Sequence, residues 1–179
     1  MSIPVMKGVT ARTVRSDRLT TRVPSTDHRT ETPVLFLHGK LSAATWWQET
    51  MLRLPPGFHG LAPDLRGFGE ADREEKIDAR QGLGDVAADV AALLDALGVD
   101  RAHVVGNSLG ACVIWRCLDV YPHQPMLAQT RATLDRYEAE GGSYREVVIE
   151  DSGHVAFIEK PREFCAAFYA HIGRRTIGV

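Results

Sequence analysis

Alternating polar and apolar positions mark two short stretches near the start of the chain, residues 11–15 and 18–23. Ser16-Asp17 separates them, so the pattern predicts a β-hairpin. Residues 33–38 are instead apolar at consecutive positions, which indicates a strand buried on both faces. Residues 59–63 are predicted to form a further short strand, on a weaker pattern. The first third of the chain is therefore predicted to supply several strands of one sheet.

Helical spacing appears further along, between Leu83 and Leu97, where apolar residues recur every three or four positions. Gly98 follows and is predicted to end this helix. Other predicted helices cover residues 46–54, 111–120 and 126–139, and a closing amphipathic helix carries Phe164, Phe168 and Ile172. Two more strands are predicted, at residues 102–105 and 144–149. Strands that alternate with helices predict an α/β fold with a mainly parallel sheet.

Length and composition narrow the class of protein. A chain of 179 residues with 44% hydrophobic content predicts one domain, residues 1–179. The net charge of −2 gives no sign of nucleic-acid binding. Neither a signal-peptide pattern nor an apolar run of membrane-spanning length is present, so a cytoplasmic protein without a membrane partner is expected. Three cysteines, Cys112, Cys117 and Cys165, lie in apolar helical segments and are interpreted as buried thiols rather than a disulfide or metal site.

One motif carries candidate chemistry: Gly106-Asn107-Ser108-Leu109-Gly110. It follows a predicted strand and opens a predicted helix, the context of a nucleophile elbow. The two glycines leave room where strand and helix nearly touch, and Ser108 would then stand at the helix N-terminus. There the backbone N–H of Leu109 could meet an oxyanion. A purely structural Gly-Ser turn is the less favoured alternative.

A serine nucleophile needs a base, and seven histidines are available. His154 is the best candidate, because it lies in a Gly-containing loop directly after the predicted strand 144–149. His38 ends a core strand; it either satisfies a strand-end hydrogen bond or introduces a loop whose Lys40 or Leu41 N–H is a second oxyanion donor. The others are predicted to lie in a core strand (His103) or in surface and loop positions (His28, His59, His123 and His171).

A competing motif, Gly82-Leu83-Gly84-Asp85-Val86-Ala87, matches the G-x-G-x-x-A pattern of dinucleotide sites. The residues before it are charged rather than strand-like, so a nucleotide site is disfavoured. No cofactor and no metal are expected.

Four motifs follow one another along the chain: Leu37-His38-Gly39, Asp64 to Gly69, Gly106 to Gly110, and Asp151-Ser152-Gly153-His154. They stand in the order found in the α/β-hydrolase superfamily, and the chain resembles its esterase and haloperoxidase-like branch. The resemblance implies Ser108 as nucleophile, His154 as base, and the N–H groups of Leu109 and Lys40 as oxyanion hole. It also implies that Asp64 and Arg66 fix a loop. Serine rather than aspartate at the elbow argues against epoxide-hydrolase and dehalogenase chemistry.

The chain departs from that family between Pro122 and Tyr144, where a sixth strand, a helical cap and a seventh strand bearing the triad acid are expected and no apolar strand is found. On a continuous helix, Asp119 would be about 16 Å along the axis from Ser108, too far to orient His154. The acids of helix 126–139 and its end read as solvated charges, namely Asp135, Glu138 and Glu140. Glu150 and Asp151 are near His154 in the sequence and could reach its other nitrogen only through an unusual loop. Asp151 is the possible surrogate acid, against its more ordinary capping or turn role.

This truncation predicts that the last strand either pairs directly with the elbow strand or leaves a gap that exposes Val113 and Trp115. Self-association through the exposed sheet edge is then possible. We expect a hydrolase of small carboxylic esters that works through a Ser-His dyad with weak activity. The alternative is a catalytically dead hydrolase-like fragment that acts as a binding protein.

Overall fold

The computed structural model describes residues 3–26, 32–74, 81–117, 126–152 and 155–173. The chain divides into two compact units, Met1–Leu118 and Asp119–Val179, and each is described here by itself. The expectation of a single domain stays a prediction.

The first unit holds a five-stranded sheet. Its strands are β1 (Thr10–Arg15), β2 (Thr20–Ser25), β3 (Thr32–Leu37), β4 (Phe58–Leu61) and β5 (His103–Gly106), in the spatial order β1-β2-β4-β3-β5. The predicted hairpin is confirmed, since β1 and β2 pair antiparallel with Thr10 opposite Ser25 and Arg15 opposite Thr20. The second strand begins and ends two residues later than the pattern suggested.

Parallel pairing joins the three strands that matter for chemistry. β3 pairs with β4 from Thr32 opposite Phe58, and with β5 up to Leu37 opposite Gly106. β2 meets β4 antiparallel at a single register position. The sheet is therefore mixed, with a parallel part whose carboxyl ends lie at one edge. In open α/β sheets that edge is where ligands bind.

Helices follow the predicted order. The first unit contains a 3₁₀ helix (Ala44–Trp47), α1 (Gln48–Leu52), α2 (Leu83–Leu97) and α3 (Leu109–Cys117). Gly98 ends α2 in the left-handed conformation, at φ 67°, as its position in the pattern predicted. The apolar stripe of α2 packs on the sheet, and the buried cluster joins β2, β3, β4 and α3: Val23, Leu35, Leu37, Leu61, Val86, Val90, Leu93 and Val113.

The second unit contains α4 (Met126–Ala139), α5 (Ala156–Glu159) and α6 (Pro161–Ile172). The rings of Phe157, Phe164 and Phe168 contact one another in sequence along the last two helices, with tilted planes. The predicted strand 144–149 is wrong, since residues 142–149 form no strand. This segment is held beside α4 by side chains instead: the Tyr144 hydroxyl donates to Asp135 at 2.6 Å, and Arg131 donates to Glu146 at 2.8 Å. Val147 and Val148 are exposed, because a segment without a partner strand buries neither face.

Among the described residues, β5 is an edge strand of the sheet, which agrees with the second of the two arrangements expected from the truncation, but the exposed residues differ from the expectation. Val113 is fully buried, because α3 turns it into the core against the sheet. Val104, on β5 itself, is 43% exposed. The side chain of Trp115 lies outside the described part of the chain. His59 also differs from its predicted surface or loop position, since it lies in β4 and is 8% exposed.

Candidate active site

Ser108 lies between the end of β5 and the start of α3, as the elbow motif predicted. Its φ is +51°, in the left-handed region that side chains other than glycine rarely adopt. Conformations of this kind cost of the order of 1–3 kcal/mol and persist where the surrounding structure imposes them. Here the main chain of the elbow is held on both sides, because Asn107 donates to Leu37 O at 3.1 Å and Cys112 donates to Ser108 O at 3.1 Å.

Two glycines make this turn sterically possible. A Cβ at Gly106 would lie 2.6 Å from the nitrogen of Ala111. A Cβ at Gly110 would lie 2.2 Å from the carbonyl oxygen of Leu37, on the neighbouring strand. Both obstacles are backbone atoms that cannot rotate away. The glycines of G-x-S-x-G therefore set the close approach of α3 to β3 and β5, which places Ser108 at the carboxyl edge of the parallel strands.

The loop after β3 reaches the same place. A Cβ at Gly39 would lie 3.3 Å from the Cβ of Ser108 and 2.9 Å from Asn107 Oδ1, so this loop runs directly beside the elbow. Leu41, two residues on, has φ +59° and an 87% exposed side chain. The N–H groups of Lys40 and Leu109 donate to no acceptor among the described residues. Unused backbone donors on two sides of a serine can stabilise an oxyanion.

His38 holds this loop and is not a free base. It is 1% exposed, and its Nε2 accepts a hydrogen bond from the N–H of Leu65 at 2.9 Å. In the neutral ring, the proton is then on Nδ1, which donates to Gly39 O at 2.8 Å. Burial lowers the pKa of His38, while the Gly39 hydrogen bond and the Asp64 charge oppose that effect. The contacts confirm a satisfied strand-end histidine, and this role is compatible with an oxyanion donor in the loop that follows.

Asp64 and Arg66 fix loops, as expected. Asp64 is fully buried; its Oδ1 accepts the N–H of Ala44 at 2.7 Å and its Oδ2 accepts that of Glu70 at 3.0 Å. Arg66 forms a buried ion pair with Asp89 of α2 through both carboxylate oxygens. These contacts tie the loops that follow β3 and β4 to each other and to α2.

The glycine-rich start of α2 has a structural role as well. Asp85 and Asp89 accept hydrogen bonds from Arg18 at 2.9 and 3.0 Å, so this helix end is joined to the hairpin turn. Residues 62–74, the described chain before it, contain no strand. The arrangement gives no support to a nucleotide site.

The other predicted site residues are placed as follows. His154 lies outside the described residues, and its role as base stays a prediction. Asp151 is exposed, in a turn, with φ +51°. This is the turn geometry expected of an aspartate there. In the part of the chain that is described, no cluster of three His, Cys, Asp or Glu side chains could hold a metal ion. No helix within those same residues is long and apolar enough to span a membrane.

Sequence reasoning missed two features of this site. It did not assign Gly39 to the wall beside Ser108, although the His-Gly pair after a core strand was a usable signal. It also gave no indication that Leu41 adopts a positive φ, since leucine is not a residue that favours that region.

Comparison with known proteins supports the interpretation of the first unit as a hydrolase fold. Residues 32–125 match the family model for the alpha/beta hydrolase fold, a span that includes Ser108 and ends before His154. Epoxide hydrolase A of Mycobacterium tuberculosis is 35% identical over 111 residues, which cover 62% of this chain and 34% of that protein. A 2-hydroxy-6-oxo-6-phenylhexa-2,4-dienoate hydrolase of Burkholderia cepacia is 37% identical over 81 residues, 43% of this chain and 28% of that protein.

Solved structures agree in fold. The crystal structure of an epoxide hydrolase from Vigna radiata has a TM-score of 0.57 and 26% identity, and the match covers 75% of this chain and 46% of that one. The chain spans about a third of the length of the curated relatives it matches, 34% and 28% of the two named above. The truncation inferred from the sequence is consistent with this coverage.

Proposed function

Because the chain belongs to the α/β-hydrolase fold family, we propose that it is a serine hydrolase that cleaves small carboxylic esters. The observation that carries the proposal is the geometry of Ser108: a serine with φ +51° at the start of a helix, next to the loop of Gly39. The N–H groups of Leu109 and of Lys40, the residue after Gly39, donate to no acceptor among the described residues. Relatives named as epoxide hydrolases share the fold. The hydroxyl at position 108 favours acyl transfer, because it can form and release an ester with the substrate acyl group.

In the proposed reaction, Ser108 Oγ attacks the carbonyl carbon of the ester while His154 takes the hydroxyl proton. The tetrahedral oxyanion accepts hydrogen bonds from the N–H groups of Leu109 and Lys40. Collapse of this intermediate breaks the bond to the leaving alcohol, which takes the proton from His154. Water, deprotonated by His154, then attacks the acyl-enzyme and releases the carboxylic acid, and the proton returns to Ser108.

We expect weak activity. No apolar strand that could bear a triad acid is found in the sequence between Pro122 and Tyr144, and loss of that acid alone lowers kcat about 10⁴-fold while leaving catalysis measurable. Asp151 is the proposed surrogate, three residues before His154 in the sequence. With no cap identified in the sequence, the substrate site should be shallow, so we expect broad specificity and high KM values.

The alternative is a catalytically dead protein that binds a partner, and the exposed Val104 on the edge strand β5 is the observation that favours it. Self-association through this edge is part of that proposal, since an unprotected edge strand can pair with another chain. It predicts a concentration-dependent oligomer in analytical ultracentrifugation.

A cytoplasmic location is also part of the proposal, supported by the free thiols of Cys112 and Cys165.

Active-site labelling tests the main proposal. A fluorophosphonate probe should form a covalent adduct on Ser108, and Ser108→Ala should abolish it. Ser143→Ala, a change in the loop after α4, is the matched control and should label like the wild type. His154→Ala should reduce the labelling rate, because the base is lost. A protein that is folded by circular dichroism but takes no label would overturn the enzyme proposal and favour the binding alternative.

A further inference from the structure

A cavity lies in the first unit, at the end of the sheet opposite to Ser108. Its volume is about 650 Å³, within the range of small-molecule sites. Pro33 and His59, near the starts of β3 and β4, line it together with the end of α2 and Arg101 just before β5. Ser108 follows the other end of β5. The cavity is therefore separate from the proposed active site.

One wall of this cavity is a polar group on β1 and β2, formed by Thr10, Arg12 and Ser25. Thr10 and Arg12 are two residues apart on one strand, so they share a face of the sheet. Ser25 is the direct cross-strand neighbour of Thr10. The two hydroxyl oxygens are 3.4 Å apart, and Thr10 Oγ1 is 3.5 Å from Ser25 O. These hydrogen bonds are long and weak, so both hydroxyls are able to donate to a ligand instead.

The charges of the lining favour an anion. Arg12 and Arg101 have no ion-pair partner among the described residues, and Asp100 is the single acid of the lining. The end of α2, whose carbonyls carry partial negative charge, lies at the side of Arg101 and Asp100 and opposes an anion there. The Arg12 side has no acid in the lining. An anionic group is therefore better accommodated beside Arg12 than beside Arg101.

The rest of the lining is largely apolar and comes from Leu61, Leu97 and Val99. His59 borders the same space, is 8% exposed, and its Nδ1 has no hydrogen-bond partner in the described part of the chain. A ligand with an apolar body and one polar end matches this arrangement.

We propose that this cavity binds a carboxylate with an apolar chain, its head group held by Arg12 and the hydroxyls of Thr10 and Ser25, and its chain against Leu61, Leu97 and Val99. An acid of this class is the product of the ester cleavage proposed above, but the site does not depend on that activity. Binding at the far end of the sheet would let the protein respond to such an acid without occupying Ser108.

Isothermal titration of the full chain with octanoate tests the proposal, carried out in the Ser108→Ala background so that acylation plays no part. Octanol has the same chain without the charge, and acetate has the charge without the chain. Arg12→Ala should weaken octanoate binding about tenfold, the loss expected for a charge-assisted hydrogen bond. Arg15→Ala is the matched control: it lies on the same strand and on the opposite face, and it should change the affinity less than about twofold.

The outcomes separate clearly. Octanoate that binds more tightly than octanol and acetate, and loses affinity only with Arg12→Ala, supports the proposal. Equal affinity for octanoate and octanol, equal effects of the two arginine changes, or no binding at about 10 mM octanoate overturns it. Because Ser108 is absent from these proteins, an inactive wild type would refute the esterase proposal and leave this result unaffected.

Discussion

Gly110→Ala tests the close packing that produces the elbow. The added Cβ would lie 2.2 Å from the Leu37 carbonyl oxygen, 2.6 Å from the Leu37 carbonyl carbon and 2.9 Å from the His38 oxygen. Normal contacts of this kind exceed about 3 Å, so α3 must move away from β3 by about 1 Å. Overpacking of a rigid site costs about 1–3 kcal/mol and occasionally more. Because all three obstacles are backbone atoms, we expect a loss of about 3 kcal/mol.

For a chain of this length, 1 kcal/mol corresponds to about 2–4 °C, so the Tm should fall by about 6–12 °C. Urea unfolding followed by tryptophan fluorescence measures the same loss as a lower midpoint. Gly173→Ala is the matched control, because its φ is −67° and a Cβ there would meet nothing within 4 Å. It should be neutral or stabilise by up to about 1 kcal/mol. If Gly110→Ala costs less than about 1 kcal/mol, the tight packing of α3 on β3 is wrong.

Two further predictions follow from the same site. Ser108→Gly should be more stable than Ser108→Ala by about 1 kcal/mol, because only glycine removes the cost of φ +51°. Urea unfolding measures the difference, and equal midpoints for the two variants would show that position 108 is unstrained. Burial lowers the pKa of His38 in the folded state, so below the unfolded-state pKa of about 6.5 the unfolded chain binds a proton that the folded protein does not. The contribution of His38 to stability is therefore present above about pH 6.5 and is lost as the pH falls below it. Urea unfolding between about pH 7.5 and 5.5 should therefore show a steeper loss for the wild type than for His38→Gln, and parallel curves would contradict this reasoning.

Much of the first unit could be predicted from local patterns. The α2 helix and its Gly98 end follow from apolar spacing and from the one residue that readily adopts the left-handed conformation. The elbow follows from a strand, a G-x-S-x-G turn and a helix in succession. These features depend on residues close in the sequence, which is why a single chain carries enough information to predict them.

The 144–149 segment could not be predicted in this way. Its run of β-branched residues, Val147-Val148-Ile149, is a local pattern typical of a strand, but a strand exists only where another strand supplies hydrogen bonds. Tyr144 and Glu146 bond to α4 instead. His59 shows the converse: its polar side chain suggested the surface, while pairing of β4 between β2 and β3 buries it. In both cases the partner element, and not the residue type, determines the environment.

The sequence by itself determined the nucleophile candidate, the glycines around it and the order of strands and helices in the first unit, because these follow from backbone sterics and from periodicity within one segment. Only the tertiary structure decided that Gly39 borders Ser108, that His38 is locked between Gly39 and Leu65, and that Val113 is buried while Val104 is exposed. Those facts depend on which strands become neighbours and on how closely α3 packs against them. Such contacts join residues tens of positions apart, and no local pattern encodes them.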